Sequence, residues 1–209
     1  MPEDATPPWL DALHPFAERA DYRVPLKTPI HRVGGRIVAD VAGVFLRLPR
    51  REGPHFADDL GRRAAAMVEL EGEPLMAELA VLRLLERAGW SGRWVNTVGA
   101  GGEVWKYLTH WAPDLPRDGQ RNRVLEEEEP RQVLAAIARR AAKRYAGCWD
   151  VYAWRGGDFA FLQLKRGAPK AKDEVAAAQV DWLHTALLFG DARITPASFA
   201  VVHWEYGQV

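Results

Sequence analysis

Apolar and polar positions along this chain alternate between a helical period and a strand-like one, and the switches lay out its elements. From Pro74, the residues Leu75, Leu79, Leu82, Leu85 and Ala88 mark one helical face, with acidic Glu73 at its start and Gly89 as its stop. Arg93-Trp94-Val95-Asn96-Thr97-Val98 then reads as a strand within residues 92–98. Residues 99–130 lose periodicity and carry Gly, Pro and charge, so they read as an insertion. An Ala-rich helix is expected over 131–145. Val151-Tyr152-Ala153-Trp154 and Phe159-Ala160-Phe161-Leu162-Gln163-Leu164-Lys165 follow as two strands. Arg155-Gly156-Gly157-Asp158 between them is a hairpin turn signal. A helix over about 173–189 and a strand over 198–206 complete the pattern.

Upstream the reading is sparser. Residues 1–33 are Pro-rich, with one short helix expected after Pro7-Pro8. Residues 36–48 look like one or two strands after Gly34-Gly35. Residues 56–71 (Phe56, Leu60, Ala64, Met67, Val68) have helical composition and end near Gly72. The whole is an α/β pattern: from residue 73 on, helices alternate with strands of a mixed sheet.

The hairpin carries the chemistry. It returns Asp150, at the start of the first strand, to the far end of the second. Side chains alternate along a strand, so Gln163 and Lys165 share one face while Leu162 and Leu164 point to the other. An acid, an amide oxygen and an ammonium then converge on one point, a seat suited to a divalent metal and a phosphate. The plainer alternative is that Asp150 is a turn residue and Gln163 and Lys165 an exposed polar strand face.

Composition narrows the setting. The chain has 209 residues, room for one domain with an elaboration or one domain plus a small second one. Nearly half of it is apolar and nine residues are Trp, enough for a sizeable core. Lys plus Arg and Asp plus Glu are both 28, so a DNA-acting protein of this charge must gather its basic residues on one face. Candidate clusters are Arg139-Arg140 with Lys143-Arg144, and Lys165-Arg166 with Lys170 and Lys172. The acidic run Glu126 to Glu129 is expected on a distant surface. A single cysteine, Cys148, excludes an internal disulfide and a Cys-rich zinc site, and without a His partner pattern it reads as a core residue. The six His residues show no metal-ligand spacing. Gly99-Ala100-Gly101-Gly102 lacks the Gly-Lys-Ser/Thr ending of a P-loop. Arg93, Trp94, Trp105 and Trp111 are read as packing residues in preference to a base-stacking platform. The acidic start has no apolar stretch, and no run reaches the roughly 20 apolar residues of a membrane span, so a cytoplasmic protein is expected.

The site stretches, Gly147-Cys148-Trp149-Asp150, Gln163-Leu164-Lys165-Arg166, Lys172-Asp173 and Gln179-Val180-Asp181-Trp182-Leu183, resemble the PD-(D/E)XK nuclease superfamily. They look most like its virus-type replication-repair (VRR-NUC) branch, which pairs Gly-x-x-Asp and Glu-x-Lys strands with a Gln-x-x-Trp-Leu helix. The strong part covers about 145–205, and the helix near 73 extends it upstream. The first seventy residues carry no resemblance. Gln163 departs from the branch, where Glu is usual, although the Mrr-like restriction branch does use Gln-x-Lys.

The resemblance implies a restriction-endonuclease-like αβββαβ core over 73–209, with 99–130 inserted and 1–72 as an N-terminal extension. It implies a metal-dependent nuclease that cuts DNA with Mg²⁺ or Mn²⁺. Asp150, Glu78, the Gln163 side-chain oxygen and the Leu164 backbone carbonyl are the implied ligands. Glu73 and Glu86 are alternatives to Glu78. Lys165 would contact the phosphate and orient the attacking water, and Gln179 would face the site. Lys165, Arg166, Lys170 and Lys172 would meet the DNA backbone, unless the last two belong to a solvated loop. A neutral amide at Gln163 binds a hard cation more weakly than Glu would. The rival functions are therefore a nucleic-acid binder that has lost catalysis, and a protein-interaction module working through residues 1–72. A homodimer is also left open.

Overall fold

Six consecutive buried residues, Phe159 to Leu164, mark the middle of a sheet covered on both faces, where a strand has no polar side to alternate with. The computed structural model describes residues 7–27, 37–51, 67–97, 102–112, 114–168 and 175–207. The elements begin with helix α1 (Leu10–Leu13), strands β1 (Ala17–Lys27), β2 (Ile37–Pro49), β3 (Met67–Leu70) and β4 (Glu73–Met76), and helix α2 (Ala77–Arg87). Strands β5 (Ser91–Thr97) and β6 (Val104–Leu108) and helix α3 (Glu128–Arg140) follow. The chain then forms β7 (Val151–Arg155), β8 (Asp158–Arg166), α4 (Ala177–Phe189) and β9 (Phe199–Gly207).

Seven strands form one mixed sheet in the order β1-β2-β9-β8-β7-β5-β6. The β2-β9 and β9-β8 pairings are parallel and the others antiparallel. One apolar cluster joins α1, α2 and the β3-β4 hairpin to one face, through residues such as Leu79, Leu82, Leu162 and Val202. The other joins α3 and α4 to the opposite face through Ile137, Tyr152, Phe161 and Trp182. The class is therefore α/β, with a mixed central sheet flanked by helices. Among the described residues no helix is long and apolar enough to cross a membrane.

Local signals account for several boundaries. After α2, Gly89 takes φ +81° and donates to the Glu86 carbonyl, while Trp90 donates to Leu85. This is the paired Schellman closure that favours Gly after a helix. Gly156 and Gly157 both have positive φ and close β7 onto β8 in a two-residue turn, with Arg155 opposite Asp158.

The structure corrects other readings. Met67–Leu70 is strand, not the end of a helix over 56–71; the upstream residues 56–66 lie outside the described residues. Glu71 and Gly72, at φ 52° and 80°, form a tight turn that sets Met67 opposite Met76. Glu rarely begins such a turn, so the hairpin carried little signal. Pro74 sits in β4 opposite Glu69, and the helix begins at Ala77. The Pro-rich start does form a short helix, but it also contributes β1, an edge strand in which Pro25 is tolerated.

The stretch 99–130 contains β6, the outer strand on the other side. Buried Gln120 closes the loop that follows it by exchanging hydrogen bonds with the Ala112 backbone at 2.8 Å each. Helix α3 starts at Glu128, earlier than expected, and stops at Arg140. Its acidic residues Glu128 and Glu129 occupy the first turn, where the helix dipole favours negative charge.

Candidate active site

Asp150 immediately precedes β7, whose first residue Val151 lies opposite Leu162. That register carries Asp150 to Gln163 and Leu164 on β8. The Asp150 carbonyl accepts from the Val95 N–H at 2.8 Å, which ties this corner to β5. Its carboxylate oxygen Oδ2 accepts from the Leu164 N–H at 2.9 Å.

The approach to Asp150 is set by its neighbours. A Cβ on Gly147 would lie 2.0 Å from the Ala178 carbonyl oxygen, so only glycine lets this loop pack on the first turn of α4. Trp149 is fully buried, with its indole N–H donating to the Gln179 carbonyl at 3.2 Å and its ring edge-on to Phe199 at 4.9 Å. The start of α4 is thereby drawn to the hairpin.

Gln163 is 5% exposed, which rules out the exposed polar face for this residue. Its Nε2 donates to Asp150 Oδ2 and lies 3.3 Å from the Leu164 carbonyl oxygen. Its Oε1 accepts from Gln179 Nε2. The Gln179 Oε1 in turn accepts from the Ala176 backbone N–H at 3.0 Å, reaching back to the cap of α4.

The electrostatics draw Glu78 into the same site. Burial pushes the Asp150 carboxyl up to about 7, and the charge of Glu78 pushes in the same direction. The Leu164 N–H and the Lys165 ammonium act against that rise. Burial also raises the Glu78 carboxyl, opposed by a hydrogen bond from its own backbone. The two alternative acids are engaged elsewhere: Arg83 bridges Glu73 at 3.4 Å and Glu86 at 2.7 Å. The structure therefore brings Asp150, Gln163, Leu164 and Gln179 together by hydrogen bonds, with Lys165 the next residue along β8 and Glu78 near enough for its charge to raise the Asp150 carboxyl. Lys170 and Lys172 lie outside the described residues.

Other candidates sort by what they touch. Lys165 is half-buried, opposite His203, and Arg166 is exposed with its guanidinium 5.6 Å from the Trp204 ring and 5.0 Å from that of Tyr206. Arg144 pairs with Glu103 at 2.8 Å and Arg140 lies over Phe189, so the basic end of α3 has local partners. Trp94 is buried with its ring centroid 6.2 Å from that of Trp111, and both Trp105 and Trp111 pack on the core. Cys148 is buried, and burial together with the Asp150 charge raises its thiol pKa well above the ordinary value, which suits a core residue.

Sequence reasoning passed over two groups. The Trp149 indole and the Ala176 N–H both orient Gln179, and neither has a spacing signal because each acts through a contact between distant segments.

The donor set suits a hard cation in part. Asp150 Oδ2 and the Leu164 carbonyl oxygen both face one N–H group of Gln163, so two oxygens converge on the place a cation would take. Carboxylate and carbonyl oxygens are the ligands that Mg²⁺ and Mn²⁺ accept. Among the described residues, no group of three or more His, Cys, Asp or Glu side chains could hold a metal ion, and the Gln163 oxygen is turned away from these two oxygens, toward Gln179. No family model, curated protein or solved structure matches the chain.

Proposed function

We propose that this protein is a divalent-metal-dependent nuclease of the PD-(D/E)XK type, similar to the VRR-NUC branch, that hydrolyses phosphodiester bonds in DNA. The observation that carries this reading is the convergence of Asp150 Oδ2 and the Leu164 carbonyl oxygen on the Gln163 amide, with Lys165 next on the strand and the Glu78 charge felt at Asp150. The succession α2, β5, β7, β8, α4, β9, with β6 and α3 interposed, is compatible with the αβββαβ core of that superfamily.

In this reading Asp150, Glu78, the Leu164 carbonyl and Gln163 Oε1 hold Mg²⁺ or Mn²⁺. The bound ion would supply Lewis acidity at the scissile phosphate and lower the pKa of the attacking water. The Lys165 ammonium meets a non-bridging phosphate oxygen and orients the water by hydrogen bonding. Arg166, exposed beside it, contacts the DNA backbone. Burial raises the proton affinity of Asp150 and Glu78, and a cation would oppose it by favouring their ionised forms.

A second reading has its own observation. The Gln163 amide nitrogen faces the two oxygens that a cation would need, and a neutral amide adds no charge to attract one. A nucleic-acid-binding protein that has lost catalysis would look the same.

Cleavage of linear, nicked, branched and single-stranded DNA in Mg²⁺ and Mn²⁺ separates them. For the enzyme, Lys165→Ala should lose about 10²–10³-fold in rate, the scale of removing one electrostatic contact to the transition state. Its thermal transition should barely move, because the ammonium is not part of the apolar core. Gln163→Glu should raise metal affinity and cleavage, because a carboxylate attracts a cation more strongly than an amide of nearly the same shape. If only Gln163→Glu cuts, the protein is the binder. If neither protein cuts nor binds metal, the nuclease-fold reading fails.

A further inference from the structure

The two carboxamides of the site form a chain of hydrogen bonds whose direction is imposed from both ends. At the α4 end, the Ala176 backbone N–H can only donate, so Gln179 must present its oxygen there. Its nitrogen is then left for Gln163, which must answer with Oε1. At the other end, Asp150 Oδ2 already accepts from the Leu164 N–H, and the Leu164 carbonyl can only accept. The Gln163 nitrogen must therefore face both oxygens. A cation needs the opposite arrangement, with the Gln163 oxygen turned inward.

We propose that Gln179 is a positioning residue that latches Gln163 in the cation-excluding orientation, so that metal entry requires both carboxamides to turn over and frees the Ala176 N–H. This rests on the metal-site reading above. Turning Gln163 alone would set its nitrogen against the Gln179 nitrogen, donor against donor. Turning Gln179 as well moves the same conflict to the Ala176 N–H. That N–H belongs to an exposed residue, so water can replace the lost acceptor. The penalty is about one hydrogen bond, and it is charged against metal binding.

The sign of a Gln179 substitution follows. Gln179→Met keeps the approximate bulk of the side chain but removes the latch, so Mg²⁺ should bind the variant more tightly by about tenfold, the worth of one net hydrogen bond. In the Gln163→Glu background both inward and outward atoms are oxygens, no turnover is needed, and Gln179 donates before and after loading. There Gln179→Met should give no gain, or a loss. A residue that only supported the fold would shift both backgrounds alike.

Titrating Mg²⁺ into ¹⁵N-labelled protein reads both ends of the chain of bonds. In the unsubstituted protein the Leu164 and Ala176 backbone amides should shift together, with one midpoint. In Gln163→Glu the Leu164 amide should shift while that of Ala176 stays. Binding that moves Leu164 but leaves Ala176 in place overturns the latch and leaves the metal site standing. So does an equal effect of Gln179→Met in the two backgrounds. If the unsubstituted protein binds Mg²⁺ too weakly for a midpoint to be reached, the latch predicts that the initial amide shift per unit of added Mg²⁺ is about tenfold steeper in Gln179→Met, and an equal slope overturns it provided that Gln163→Glu binds. If no variant binds Mg²⁺, the metal-site reading falls and the latch with it.

Discussion

At the scale of single residues, Asp150 sits where its charge is costly. Its carboxyl is raised from 3.8 to about 7, first by burial and then by the charge of Glu78. Between those two values the unfolded chain is the first to lose the proton, so its free energy falls relative to the folded state as pH rises. The stability associated with this protonated carboxyl is therefore fully present below about pH 4 and lost as pH approaches 7. Asp150→Asn keeps the shape and an oxygen that can accept from the Leu164 N–H, but has no charge to bury. We expect Asp150→Asn to flatten the pH dependence of the thermal transition between pH 4 and 7 and to be more stable than the unsubstituted protein at pH 8. A profile parallel to that of the unsubstituted protein would mean that Asp150 is solvated. Such a variant should also lose Mg²⁺ binding, the usual exchange between a strained functional group and stability.

At the scale of elements, the site depends on how close α4 comes to the loop before β7. Gly147 is where they touch, since any Cβ there would fall 2.0 Å from the Ala178 oxygen and 3.2 Å from Trp182 Cβ. Backbone cannot yield as a side-chain tip does. Gly147→Ala should therefore cost about 3 kcal/mol in urea unfolding, the upper part of the range for overpacking. It should also push Gln179 away from Gln163, changing the Ala176 amide shift in the folded protein. A loss under roughly 0.5 kcal/mol, the scale of an ordinary surface substitution, with no change at Ala176 would mean that the loop and helix can separate freely.

At the scale of the whole molecule, strand β9, the neighbour of the site strand β8, is covered on its other edge by chain from the first fifty residues. Parallel pairing joins β2 to β9 over eight registered positions, Ala42 with Ala200 through Pro49 with Gly207. Strand β9 also pairs with β8, so it lies inside the sheet. Removing residues 1–66 would strip β1 and β2, expose Phe199 to Trp204 along an open edge, and uncover one side of the α2 core. An uncovered apolar edge is a template for association. We expect the fragment 67–209 to be aggregated or to unfold without cooperativity, as measured by light scattering and thermal melting. A soluble fragment with a sharp transition would show that residues 1–66 are dispensable for folding.

What the residue order determined by itself was local or periodic. The Gly156-Gly157 turn, the alternation along β8 and the Gly89 stop after α2 depend on neighbours within a few positions, and each could be read directly. From them came the meeting of Asp150 with Gln163 and Leu164, because a two-residue hairpin leaves only one register. The rest needed distant segments to meet. β1 hid behind prolines that an edge strand tolerates, and β3 behind a turn begun by Glu71, an unusual residue there. That Glu73 and Glu86 pair with Arg83 while the Glu78 charge reaches Asp150 depends on packing between α2 and the strands. The direction of the Gln163 amide was decided farther away still, by a backbone N–H at the start of α4 that only tertiary folding brings to the site. Hydrogen-bond polarity passes along a chain of contacts, and contacts between segments leave no period in the sequence.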